Sequence, residues 1–185
     1  MPIGANLVRS SVIDKIEHKT VPSGPLAFVT IRHELQVNDA ASPAVVEKQT
    51  FVLLSSAGGA AKRETSDDNS NTRHTKIVTP DDTMLFQYSA LGFNSHKIHL
   101  DRGYARDVEG LPDLVVNGGL TTLLLTEFLR CDIGLVPKSL KARYSTPLYS
   151  GRPVALAAVS DGARWILSAR DDAGIIAASV EVEAQ

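Results

Sequence analysis

An α+β fold, with one antiparallel sheet wrapped around a central helix, is predicted by three features of this 185-residue sequence. Residues 118–131, "GGLTTLLLTEFLRC", distribute Leu120, Leu123, Leu124, Leu125, Phe128 and Leu129 around most of a helix, so the segment needs apolar neighbours on nearly every side. Four strand-like runs follow at 138–146, 152–160, 163–170 and 174–183, separated by the turn signals "PLYSGRP", "SDG" and "DDAG". A short strand, "KIVTPDD", comes before the helix. A curved sheet can cover most of a helix that is apolar all round.

The elements ahead of that unit are of another kind. Residues 5–19 carry Leu7, Val12, Ile13 and Ile16 in short alternations, and "VPSGP" then turns the chain. "LAFVTIRHELQV" (26–37) alternates apolar and polar residues as a half-buried strand does, and "AVVEKQTFVLL" (44–54) reads as a third strand. Residues 55–75 are rich in Gly, Ser, Asp and Asn with almost no large apolar side chain, the composition of a flexible linker. The expected organisation is therefore a three-stranded part at 1–54, a linker at 55–75 and a complete unit at 76–185. Within the last, "TMLFQYSALGF" (83–93) reads as a short helix with Thr79 or Asp81 as its cap, ended near Gly92.

Composition narrows the function classes. With 43% apolar residues the chain has ample material for a core, and its net charge of −2 comes with scattered rather than clustered Lys and Arg, which argues against a nucleic-acid partner. The single cysteine, Cys131, has no partner for an internal disulfide, as suits a reducing compartment. No apolar run approaches the ~20 residues of a membrane span, so no membrane is expected as a partner. Cytoplasm is the default expectation, and a mitochondrial setting is compatible with it.

The chemistry concentrates in "NSHKIH", Asn94 to His99, with Asp101 just beyond. Three readings compete. His96, His99 and Asp101 form an acceptable N, N, O ligand set for zinc or iron, although His-x-x-His outside a helix has no fixed convergence. The histidines can equally be exposed loop residues or backbone caps. In the third reading a histidine exchanges a proton with substrate near neutral pH, while the Asn94 carboxamide orients the ring or a water. "VVNGGL" (115–120) opens the apolar helix about twenty residues on, and glycines there let a ligand oxygen approach the free N–H groups of Gly118 and Gly119. A histidine base and such an oxyanion hole together suit proton abstraction α to a thioester carbonyl.

The stretch "LFQYSALGFNSHKIHLDRGYARDVEGLPDLVVNGGL" (85–120) closely resembles the MaoC-like hot-dog hydratases and dehydratases of acyl-thioesters. The nearest branch includes mesaconyl- and itaconyl-type CoA hydratases, the FAS1-like dehydratase domain and the type 2 3-hydroxyacyl-thioester dehydratase. "SGPLAFVTIRHE" (23–34) resembles a strand pair in the first of that branch's two hot dogs. The resemblance implies a hot-dog fold and a cofactor-free, metal-free hydro-lyase acting at C2–C3 of an enoyl or 3-hydroxyacyl thioester on CoA or acyl carrier protein. It implies His99 as the base at C2 and Gly118 as the donor to the thioester oxygen. Asn94 falls where the wider motif D-x-N-P-x-H has its aspartate, which leaves His96 and Asp101 as the nearest groups to handle the water. Gln87 stands where the branch usually has Arg, Asn117 replaces the usual His, and Gly119 the frequent Pro. Tyr88, Arg102, Asn117 and Arg143 are candidates to contact substrate or the CoA phosphates.

A complete two-hot-dog chain of this kind would carry another strand and a buried helix before "GANLVRSS". The three early strands are therefore expected to extend the sheet of the later unit, with their bare apolar face covered by another subunit in a homodimer or hetero-oligomer. The contrasting expectation is a non-catalytic subunit that binds an acyl group or supports a catalytic partner, in which side chains would fill the cavity between His99 and Gly118.

Overall fold

The computed structural model describes residues 2–21, 24–38, 40–54, 74–161 and 164–184. Apart from His74 and Thr75, the expected linker lies outside the described residues. The chain divides into two compact units, Met1–Ala60 and Ala61–Gln185.

In the first unit β1 (Leu7–Val21), β2 (Gly24–Val37) and β3 (Val45–Leu54) form an antiparallel sheet in that order. Pairings such as Ile13 with Ile31 and Val29 with Phe51 put Leu7, Ile13, Ile16, Ile31, Phe51 and Leu53 on one face. The opposite face carries the ion pairs Lys15–Glu17 and Arg32–Glu34. Apolar side chains of the first face stay open, with Ile13 64% and Leu53 55% exposed. At the middle of that face His33 is buried, its Nδ1 2.7 Å from Ser11 Oγ. Among the described residues β1–β3 pair only with one another.

The second unit has the sheet-around-helix arrangement. Its five strands, β4 (His74–Val78), β5 (Pro137–Tyr144), β6 (Val154–Asp161), β7 (Arg164–Arg170) and β8 (Ile176–Ala184), lie in the order β4-β6-β7-β8-β5 and are antiparallel throughout. The central helix α2 (Gly118–Phe128) packs against β5, β7 and β8. Alternating inward residues, Val154, Leu156 and Ala158 on β6 with Leu167 and Ala169 on β7, meet Leu120, Leu125 and Phe128 of the helix in one core. The helix is not buried on every side, because Leu123 is 46% exposed. Nor does it run to residue 131: a wider π turn, Leu129–Ile133, takes over and closes at the left-handed Gly134. A shorter helix, α1 (Asp82–Leu91), is capped by Asp81, whose carboxylate accepts from Met84 N at 2.8 Å. No helix of the described residues is long and apolar enough to cross a membrane.

Candidate active site

The segment between the two helices is tied down bond by bond. After α1 the chain reverses at Phe93, which takes a left-handed φ of 49°, and Asn94 N donates to Ser89 O at 2.9 Å. Asn94 Oδ1 accepts from His96 N at 3.1 Å, an Asx turn that launches the 3₁₀ turn Lys97–His99. Asp101 accepts from Tyr104 N at 2.9 Å, at the start of the π turn Tyr104–Val108. Closures of three or five residues leave no apolar period to find.

Residues 114–116 run extended and hold the 3₁₀ turn on one side and the 148–150 loop on the other. Val115 N donates to Ile98 O at 2.9 Å, Val116 N to Leu148 O at 2.8 Å, and Ser150 N to Leu114 O at 2.9 Å. On the same strip the His99 Nδ1–H donates to Val115 O at 2.7 Å. A carbonyl can only accept, so Nδ1 carries the proton and the Nε2 lone pair is left for a substrate proton. The orienting partner of His99 is therefore Val115, not Asn94, whose Oδ1 is engaged locally.

His99 is buried, at 9% exposure. Burial, foremost, lowers its pKa below 6.5; the Val115 bond opposes this and the nearby His96 adds to it. The imidazole is thus neutral at pH 7, the form a base requires. The acid limb of kcat/KM is expected below pH 6.5, to be read from a pH–rate profile. The unfolded chain takes up this proton more readily than the folded one, so the linked stability is full above that pH and declines as pH falls beneath it.

The strip ends at Asn117 and enters α2. Thr121 N is satisfied by Asn117 O at 3.0 Å, and the N–H groups of Gly118, Gly119 and Leu120 precede the first acceptor the helix can offer. They carry the positive end of the helix dipole. A cleft of about 280 Å³ is lined by both His99 and Gly118, together with Thr121, Tyr144, Thr146 and Ala178. A second, of about 460 Å³, lies on another side of His99 and is lined by Asp82, Phe86, Leu100, Arg102 and Leu114. The structure thus brings together His99 and Gly118, the two groups whose pairing mattered most in the sequence.

The other candidates sit variously. The exposed His96 ring meets His99 edge-on, centroids 5.8 Å apart, and no group of three or more His, Cys, Asp or Glu converges for a metal among the described residues. Arg102 lines the larger cleft but is held by Asp113 at 2.7 Å and Asp82 at 2.8 Å. Asn117 is a correction: at 2% exposure it lines neither cleft, and its Nδ2 donates to Ser89 Oγ at 3.3 Å, tying α2 to α1. Tyr88 is half-buried against the core of the unit and its side chain lines neither cleft, but its hydroxyl lies over Gly119, next to the Gly118 that lines the smaller one. Val115, Tyr144 and Thr146 are not marked in the sequence: Val115 and Tyr144 come from extended stretches and Thr146 from the bend after β5, where nothing signals a polar or carbonyl contact.

The chain matches the family Hydroxyacyl-thioester dehydratase type 2 over residues 1–150. It is 34% identical over 183 residues to the mesaconyl-C(4)-CoA hydratase of Chloroflexus aurantiacus, across 98% of this chain and 64% of that protein. To the mitochondrial hydroxyacyl-thioester dehydratase type 2 of Schizosaccharomyces pombe it is 28% identical over 138 residues, 73% of this chain and 43% of that one. The chain therefore spans less than two thirds of the length of these relatives. Its fold is like that of a MaoC-like dehydratase from Phytophthora capsici, with a TM-score of 0.69, 14% identity, and coverage of 97% of this chain and 62% of the other. The antiparallel sheet around α2 is the hot-dog fold, and the chain belongs to the hydroxyacyl-thioester dehydratase type 2 family.

Proposed function

We propose that the second unit is a hydro-lyase acting at C2–C3 of an enoyl or 3-hydroxyacyl thioester. The observation that carries this is one cleft lined by both the neutral His99 and the first residue of α2. In dehydration, His99 Nε2 takes the C2 proton and the electron pair moves onto the thioester oxygen, where Gly118 N–H and the helix dipole meet the developing charge. The enolate then collapses, C2=C3 forms, the C3–O bond breaks, and the hydroxide leaves with the proton held by His99 as water. Hydration is the same path reversed. His96 and the Asn94 carboxamide N–H are the polar groups nearest in sequence to assist the water, Asp101 being engaged by Tyr104 N.

The thioester is carried on CoA or acyl carrier protein. Gln87 supplies no charge for a carboxylate-bearing acyl group, which favours an uncharged enoyl chain as the first substrate to try. Loss of the enoyl-thioester absorbance band of crotonyl-CoA with the wild-type protein, but not with His99→Ala, is the expected result. No loss with either protein would favour a non-catalytic acyl-binding subunit.

The open apolar face of β1–β3 is too extensive to stay in water, and we assign its cover to another subunit, most simply a second copy. Analytical ultracentrifugation is expected to give the mass of two chains, with Ile13→Lys shifting it toward one.

A further inference from the structure

The glycine pair that opens α2 is packed under two tyrosines. The ring of Tyr144, from β5, lies over Gly118 so closely that a methyl group there would stand 3.2 Å from Cε1. The Tyr144 hydroxyl is engaged with Thr122 Oγ1 at 2.6 Å. Tyr88, from α1, reaches over Gly119, and a methyl group at 119 would stand 2.0 Å from Tyr88 Oη. The Cα–Cβ bond of a helical residue leans toward the helix N-terminus. An oxygen filling the Cβ space of Gly119 therefore sits on the N-terminal side, beside the N–H groups of the first turn.

Tyr88 differs from Tyr144 in one respect: its hydroxyl donates to no described residue, although its ring is packed against the core of the unit. Burial, and then the proximity of Tyr144, raise its pKa above 10, so it keeps its proton at neutral pH. Resting on the hydro-lyase reading above, we infer that the Tyr88 hydroxyl is a further donor to the thioester oxygen, working beside the Gly118 N–H. Gly119 is the residue that makes room for it. A neutral O–H held there by a packed ring is preorganised for charge that grows on the oxygen during enolisation.

The test is Tyr88→Phe, which keeps the ring and removes only the donor. With crotonyl-CoA, kcat is expected to fall by about 10²-fold with KM within about twofold, the split of a contact made mainly in the transition state. A second readout needs no turnover. Cinnamoyl-CoA bound to His99→Ala is expected to absorb to the red of the free thioester, because donors polarise its carbonyl, and adding Tyr88→Phe should shrink that shift.

Unchanged kcat together with an unchanged band shift would make Tyr88 a packing residue and overturn the inference. Activity that survives His99→Ala would instead defeat the choice of base, while the band shift would still report on Tyr88. If crotonyl-CoA is not turned over at all, the band shift alone decides, and its absence in the presence of Tyr88 counts against the donor.

Discussion

Replacing His99 by alanine is expected to slow crotonyl-CoA hydration by about three orders of magnitude, within the range a positioned general acid–base contributes. The size of the effect follows from the site's construction. The ring is fixed by one bond to Val115 O, buried enough to stay neutral, and borders both clefts. No neighbouring carboxylate is placed to take over: Asp101 is spent on Tyr104 N, and Asp82 and Asp113 hold Arg102. The substitution also strands Val115 O, at a cost of roughly 1–3 kcal/mol if water does not reach it. A thermal melt alongside the kinetics separates the two effects. A variant that stays folded at the assay temperature and hydrates at the wild-type rate would show that another group is the base.

The largest loss of stability is expected from Leu125→Ala. Leu125 has no exposed surface and stands where α2 meets the inward residues of β7 and β8. Truncating a buried leucine in a packed core costs about 2–5 kcal/mol, the spread reflecting how far the site collapses into the cavity. That is a large share of a typical domain's stability, and the urea midpoint should drop accordingly with an unchanged slope. Leu123, two residues away and 46% exposed, is the internal control, since its truncation should cost far less. Equal losses at both positions would mean that the helix is not covered on the Leu125 side in the way described.

The strand at 152–160 was legible because its burial alternates, with Val154, Leu156 and Ala158 inward, whereas β2 and β3 were legible from their residue types alone, β2 being half-buried almost throughout and residues 45–53 exposed. The helix was legible from its density of leucines, but density does not say which side faces out, and Leu123 faced out. His99 and Gly118 were legible because each residue type has a specific chemistry at that spacing. What held His99 was not, since the bond runs to a backbone carbonyl and every residue has one. Asn94 and Asp101 look catalytic in a linear reading, yet short polar side chains in turns most readily serve the nearest backbone N–H, and both do. Asn117 sits within the motif but its side chain turns inward to Ser89, a direction that sequence spacing does not encode.

The contact between Tyr88 and Gly119 fixes an order in which substitutions can accumulate. While the tyrosine is present, alanine at 119 collides with its hydroxyl, even though alanine is otherwise the better helix residue by about 0.8–1.0 kcal/mol at an interior position. Once position 88 has become a small side chain, the same alanine turns from harmful to mildly stabilising, and restoring the tyrosine then becomes the harmful step. Because the Tyr88 ring also packs on the core, losing it costs more stability than the later alanine returns, so selection for thermal stability alone keeps the tyrosine and the glycine together.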